Sequence, residues 1–143
     1  MATESTLAEI ELFSEMPRKH LESLAKVTVP KSYKKGDVIV REGDLGVAFY
    51  AVVKGSVQVY QTDSGKEMPL ATLHQSDFFG EMALFDNQVR SASVRALEDT
   101  ECLVLTKWDF AAELNSPDSR VAIAMLPILA RRIRALDSKS HTL

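Results

Sequence analysis

Cysteine is nearly absent: the chain of 143 residues holds one, Cys102. A single thiol excludes an intrachain disulfide framework and a cysteine-built zinc site, and it fits a reducing compartment. Histidine is scarce as well. His20, His74 and His141 stand far apart, with neither metal-ligand spacing nor a nucleophile–base arrangement, so nothing points to a metal or triad enzyme. No apolar run approaches the ~20 residues of a membrane span. The polar, acidic start Met1–Ser5 lacks the form of a signal peptide. Positive charge is not in excess either: 17 Lys+Arg face 20 Asp+Glu, for a net charge of -3. That balance argues against a protein built to neutralise a phosphate backbone. The expectation left standing is a non-enzymatic, cytoplasmic globular module.

What is present suffices for one core. Hydrophobic residues make up 45% of the chain, which rules out disorder by composition, and the length suits a single domain over 1–143. Residues ~6–26 read as helical. Thr6-Leu7-Ala8-Glu9 has capping-box form, and Leu7, Ile10 and Phe13 follow at helical spacing. Pro17 suits the first turn of a second helix carrying Leu21, Leu24 and Ala25 on one face. From ~27 to 106 the texture is β-branched and broken by turn glycines. Strands are expected at Val27–Val29, Val38–Arg41, Val47–Val53, Ser56–Gln61, Glu67–Leu73, Ser91–Ala96 and Glu101–Leu105. Short strands at even spacing indicate an antiparallel sandwich, jelly roll or barrel. Helices return over ~107–137, opened by a second capping box, Thr106-Lys107-Trp108-Asp109. Ser116-Pro117 then starts a last helix, with Pro127 inside it.

One stretch breaks the β texture, from Asp77 to Val94. Gly80 lets a ligand approach the backbone, and the short helical piece after it offers unpaired N–H groups to an anion. Arg90 supplies a guanidinium fork for a phosphate, Ser91 a hydroxyl, and Glu81 an acceptor for sugar hydroxyls. The parts suit a small phosphorylated sugar ligand. From the residues alone, a salt bridge between Glu81 and Arg90 is an equal reading.

Phe79-Gly80-Glu81-Met82-Ala83-Leu84, followed by Arg90-Ser91-Ala92-Ser93-Val94, resembles the phosphate-binding cassette of cyclic nucleotide-binding domains. Lys54-Gly55-Ser56-Val57 and Gly65-Lys66-Glu67-Met68 are similar to the bacterial catabolite activator branch of that family. The resemblance implies a mainly β fold: an eight-stranded antiparallel β-roll of jelly-roll type, a double-stranded β-helix, flanked by N- and C-terminal helices. It implies that Glu81 accepts from a ribose 2′-hydroxyl, that Arg90 pairs with the cyclic phosphate, and that Ser91 bonds a phosphate oxygen or the purine. Backbone N–H groups near Met82 and Ala83 would cap the phosphate. Val59, Leu70 and Ala71 align with the purine pocket, with ordinary core packing as the alternative. Arg132 aligns with a helix arginine that faces the ligand; for Arg131, Arg132 and Arg134 the alternative is a solvated face. Met82 and Val89 depart from the commonest family residues, Leu or Ile and Pro respectively. Leu136 and Asp137 stand where the activator branch has a hydroxylated pair.

The expected ligand is cAMP, with cGMP as the alternative, and no catalytic cofactor is implied. The apolar run Val121–Leu126 predicts a homodimer through this helix, or else burial against the N-terminal helices. Pro127 predicts a hinge, with Ile128–Asp137 as a lid over the purine. The chain stops a few residues past its last helix, leaving no room for a DNA-recognition helix. The expectation is therefore a freestanding sensor that signals to a downstream protein. A fragment of a longer regulator or channel, and a domain without ligand, are the alternatives.

Overall fold

The computed structural model of the protein describes residues 2–84, 88–114 and 128. Helix α1 (Ala2–Glu9), a 3₁₀ turn (Glu11–Phe13) and helix α2 (Arg18–Val27) come first. Eight strands follow: β1 (Val29–Tyr33), β2 (Val38–Val40), β3 (Ala48–Lys54), β4 (Val57–Asp63), β5 (Lys66–Leu73), β6 (Phe78–Phe79), β7 (Ser93–Ala96) and β8 (Thr100–Thr106). A 3₁₀ turn (Glu81–Leu84) lies between β6 and β7, and helix α3 (Lys107–Leu114) follows β8. The strands form two four-stranded sheets, ordered β1-β8-β3-β6 and β2-β7-β4-β5. Every pairing is antiparallel. This is the eight-stranded roll with flanking helices that the sequence resemblance implied.

The two sheets bury different amounts of themselves. Phe49 and Ala51 of β3, Phe78 of β6, and Leu103 and Leu105 of β8 share one core with Leu7, Ile10, Phe13 and Leu24 of the N-terminal helical segment. Val52 and Cys102, on the other face of the same sheet, meet Val57, Phe79 and Val94 between the sheets. A sheet covered on both sides needs near-continuous apolar strands, and Ala48-Phe49-Tyr50-Ala51-Val52-Val53 supplies one. Phe49 meets Phe13 edge-on at 5.3 Å and Phe78 at 5.5 Å between ring centroids. Such pairs add about 0.5–1.5 kcal/mol each beyond the area they bury. The second sheet ends in β5, which is exposed along nearly its whole length.

The helices are tied down at named points. Asp109 N–H donates to Thr106 Oγ1 at 3.2 Å, and that hydroxyl donates to Asp109 Oδ2 at 3.1 Å, so Thr106 caps the helix as the spacing predicts, with Asp109 answering its hydroxyl. His20 Nδ1 of α2 bonds Glu113 Oε1 of α3 at 2.6 Å. Ile128 is helical, fully buried and part of the helix-side core. The residue expected to begin a lid is thus anchored in the core.

Three local expectations are corrected, and one element is added. Thr6 sits inside α1 instead of capping it, because the helix already runs from Ala2. Val27 ends α2, and the first strand starts at Val29. That strand tolerates Pro30 because it lies at a sheet edge. Ser91 lies in a bend, and β7 begins at Ser93. The two-residue strand β6 was not foreseen, being too short to show a period. Ser116, Pro117, Val121–Leu126, Pro127, Arg131, Arg132, Arg134, Leu136 and Asp137 lie outside the described residues.

Candidate functional site

The site is built where β6 ends. Phe79 leaves the sheet, Gly80 turns the chain at φ +81°, and the 3₁₀ turn Glu81–Leu84 follows. Only glycine fits here. A Cβ on residue 80 would stand 2.6 Å from Arg90 Nη1 and 2.8 Å from the Ala48 carbonyl oxygen, in a backbone conformation that side chains rarely adopt.

Arg90 is held from several directions. Its N–H donates to the Asp44 carbonyl at 2.7 Å, and its own carbonyl accepts from Gly43 N–H at 2.9 Å. Leu45 and Val89 form an isolated antiparallel bridge beside it. The Glu42–Gly46 turn region therefore acts as a clamp on the arginine backbone. At the other end of the side chain, Nη2 donates to the Ala48 carbonyl at 2.7 Å. The guanidinium carbon lies over the Tyr50 ring, 5.9 Å from its centroid. Half-burial lowers the Arg90 pKa from its ordinary value, while Tyr50 and the Glu81 carboxylate oppose that shift. Burial likewise raises the Tyr50 phenol, against the pull of Arg90.

A cavity of about 390 Å³ opens beside this arginine. That lies in the range of small-molecule pockets, roughly 300–1,000 Å³. Gly80, Glu81, Arg90, Ser91 and Gln88 supply its polar part. Val40, Val59, Phe79, Ala83 and Val94 supply its apolar part. The valines follow from the pairing register, which sets Val40 and Val59 on either side of Val94 across three adjacent strands. One end can thus take an anion and hydroxyl groups, and the other a flat apolar body.

The structure brings together Val59, Gly80, Glu81, Ala83, Arg90 and Ser91 of the sequence-derived candidates. Met82 lies in the same 3₁₀ turn. Ala83 N–H is engaged by the Gly80 carbonyl at 3.1 Å, so an anion there would have to share that donor. Ser91 is exposed, and its carbonyl accepts from Gln61 Nε2 at 2.8 Å. Leu70 and Ala71 are exposed on β5 and are not among the cavity's lining residues. In the register Val59 pairs with Ala71 but Tyr60 with Pro69, so Leu70 is the extra residue of a bulge. Arg132 lies outside the described residues.

Sequence reasoning missed Gly46 as a site residue. Its φ is not left-handed, so no turn demands it. A Cβ there would sit 3.2 Å from Ala83 Cβ and 3.3 Å from Arg90 Nε, which makes its small size a packing requirement of the site. Gly43 and Gly46, three positions apart, are more glycine than one turn needs, and that was the available signal. Among the described residues, no group of three or more His, Cys, Asp or Glu could hold a metal ion. No described helix is long and apolar enough to cross a membrane.

Fold and cavity together define a ligand-binding β-roll. A family profile described as the cyclic nucleotide-binding domain matches residues 30–116. The chain is 42% identical over 106 residues to the cyclic AMP receptor protein of Thermus thermophilus, covering 73% of this chain and 49% of that protein. It is 36% identical over 115 residues to mouse cGMP-dependent protein kinase 2, covering 78% of this chain and 15% of the kinase. The solved N-terminal domain of a transcriptional regulator from Streptomyces coelicolor superposes with a TM-score of 0.81 at 31% identity, covering 93% of this chain and 95% of that one. The chain belongs to the cyclic nucleotide-binding domain family. It spans about half the length of the first relative and far less of the second.

Proposed function

We propose that this chain is a sensor module that binds a cyclic mononucleotide, cAMP first and cGMP as the alternative. The observation that carries the reading is the meeting of Arg90 and Glu81 at Gly80, at the edge of a cavity backed by Val40, Val59 and Val94. The guanidinium offers charge to the cyclic phosphate. Glu81 accepts from the ribose 2′-hydroxyl, Ser91 adds a donor, and backbone around Met82 and Ala83 closes over the phosphate. The valines take the base. Arg132, Leu70 and Ala71 remain proposed purine contacts, which the exposed β5 would make only on a bound ligand. The receptor and kinase names among the relatives support both nucleotides. The module is read as a binding unit over 1–143.

A route outward exists in the packing. Helix α3 contacts both α2 and the Glu81–Leu84 turn. Ligand drawn onto that turn would be felt by α3, and the signal would pass through the C-terminal helices to a downstream protein. A homodimer through Val121–Leu126 would double that output, and the mass in solution with and without nucleotide tests it.

Calorimetric titration with each nucleotide tests the ligand. Binding by the wild type is expected, with Arg90→Leu weakening it by about 2–5 kcal/mol, the cost of truncating one partner of a buried charge pair. That is roughly 30- to several-thousand-fold in affinity. Unchanged binding by folded Arg90→Leu would refute the assignment. Glu81→Ala should bind cAMP and its 2′-deoxy analogue about equally, whereas the native protein prefers cAMP. Additive losses would refute the hydroxyl contact.

A further inference from the structure

Arg90 lines the cavity, and its guanidinium also lies over an aromatic ring that does not. That ring belongs to Tyr50. It lies on β3, is half-buried, and is not among the cavity's lining residues. Its ring stacks on Phe79 with centroids 4.9 Å apart and planes 4° from parallel. The register explains the stack, since Tyr50 and Phe79 are directly paired between β3 and β6. Phe79 is in turn the residue before Gly80 and lines the cavity. The ring that lies under the Arg90 guanidinium is thus itself held by the residue that starts the cassette.

We propose that Tyr50 is a positioning residue for the ligand's phosphate: its ring, clamped by Phe79, sets the plane of the Arg90 guanidinium and leaves the cavity-facing N–H groups aimed at the anion. This rests on the cyclic-nucleotide reading and deepens it. The physics is the attraction of a cation for the negative face of an aromatic ring. Ala48 supplies the second constraint by accepting from Nη2 at 2.7 Å. A carbonyl fixes one nitrogen, but a single hydrogen bond leaves the group free to rotate about it. The ring removes that rotation. A planar fork whose orientation is set in advance loses less freedom when the phosphate arrives. Tyr50 borders none of the cavity, so it acts on the ligand through its neighbours, and of these Arg90 carries the charge.

Arg95 offers an internal contrast. It lies 4.4 Å from the Tyr60 ring centroid, but its guanidinium also bonds Glu67 at 2.7 Å and Gln58 at 2.9 Å, on strands of the second sheet. That arginine is fully engaged within the protein. Arg90 has a ring and a carbonyl on its protein side and the cavity on the other.

The test is a cycle of Tyr50→Leu, Tyr50→Phe, Arg90→Lys and Tyr50→Leu combined with Arg90→Lys, read by cAMP and cGMP titration and by melting temperature without ligand. Tyr50→Leu is expected to weaken binding roughly 3- to 30-fold. Tyr50→Phe, which keeps the ring face, is expected to restore most of that loss. In the Arg90→Lys background, Tyr50→Leu should cost about twofold or less, because the fork it orients is gone. Equal losses in both backgrounds would overturn the proposal, as would a Tyr50→Phe protein as weak as Tyr50→Leu. If the wild type binds neither nucleotide, the ligand reading fails by itself. In that case a non-additive melting temperature for the double variant still supports the Tyr50–Arg90 contact, and an additive one overturns it. Should Tyr50→Leu fail to fold, the comparison of Tyr50→Phe with wild type in both arginine backgrounds decides, with a change over threefold counting against the ring-face argument.

Discussion

Two turns in this molecule use the same backbone conformation for different ends. Gly55 joins β3 to β4 at φ +99°, and Gly80 leads out of β6 at φ +81°. At Gly55 a Cβ would meet Thr100 Oγ1 at 2.5 Å, the Asp99 carbonyl at 2.7 Å and Thr100 Cα at 2.8 Å. Thr100 is buried, its hydroxyl 2.8 Å from the Glu98 carbonyl and 3.2 Å from the Ser56 carbonyl. Everything around Gly55 is backbone or fastened to it. At Gly80 the nearest atom is the far end of Arg90, with the Ala48 carbonyl behind it. One glycine makes room for the fold, and the other for a cation with a task. The local sequences, Lys54-Gly55-Ser56 and Phe79-Gly80-Glu81, do not show that difference. Only the identity of the crowding neighbour does.

Substitution at the two glycines should separate the roles. Gly55→Ala is expected to have the largest effect on stability, about 2–5 kcal/mol. Left-handed strain contributes about 1–2 kcal/mol and overpacking against backbone about 1–3 kcal/mol. The melting temperature would fall by on the order of 10 °C. Nucleotide affinity of the remaining folded protein should hold. A melting point within a degree or two of wild type would mean the turn relaxes freely.

Gly80→Ala meets the same left-handed strain and a backbone carbonyl, Ala48, at 2.8 Å, so it should also cost stability, but unlike Gly55→Ala it should damage binding. Displacing Arg90 forfeits a charge-assisted hydrogen bond of about 1.5–3 kcal/mol, or roughly 10- to 100-fold in affinity. The loss of affinity is what sets it apart from Gly55→Ala. Affinity retained alongside a large loss of melting temperature would show that Gly80 is a second structural glycine and nothing more.

The smallest expected effect concerns the dry side of the comparison. Cys102 lies between the sheets, and burial pushes its thiol from 9.0 up to about 12. Burial also pushes the Tyr33 phenol from 10.0 up to about 12. In both cases the folded protein keeps a proton that the unfolded chain gives up. Their stabilisation is full below pH 9 and is lost as pH rises from there toward 12. Cys102→Val removes the thiol's share, so denaturant midpoints measured from pH 8 to 11 should decline less steeply than in the wild type. Parallel declines would show that water reaches the layer between the sheets.

The sequence made the roll and the cassette readable because both are written locally. Turn glycines bracket the strands, and Gly80, Glu81, Arg90 and Ser91 fall within one short stretch. What it hid depends on register. Tyr50 reaches Arg90 only because β3 pairs with β6, a strand of two residues that carries no periodicity of its own. A bulge inserts Leu70 into β5, and no composition rule predicts which residue of Pro69-Leu70-Ala71 is the extra one. Thr6 misled for the opposite reason: its capping-box spacing is genuine, but a preceding helical turn was already in place.

That same bulge has a bearing on how the protein behaves when concentrated. β5 is the terminal strand of its sheet and exposes Met68 and Leu70. An apolar terminal strand of this length invites a neighbouring molecule to add its own backbone as a ninth strand. Pro69 has no N–H to offer such a visitor, and the inserted Leu70 spoils the even spacing a new ladder would require. The irregularity in β5 is therefore expected to disfavour such pairing. Straightening it by replacing Pro69 and deleting Leu70 would give a cleaner strand and a stickier protein.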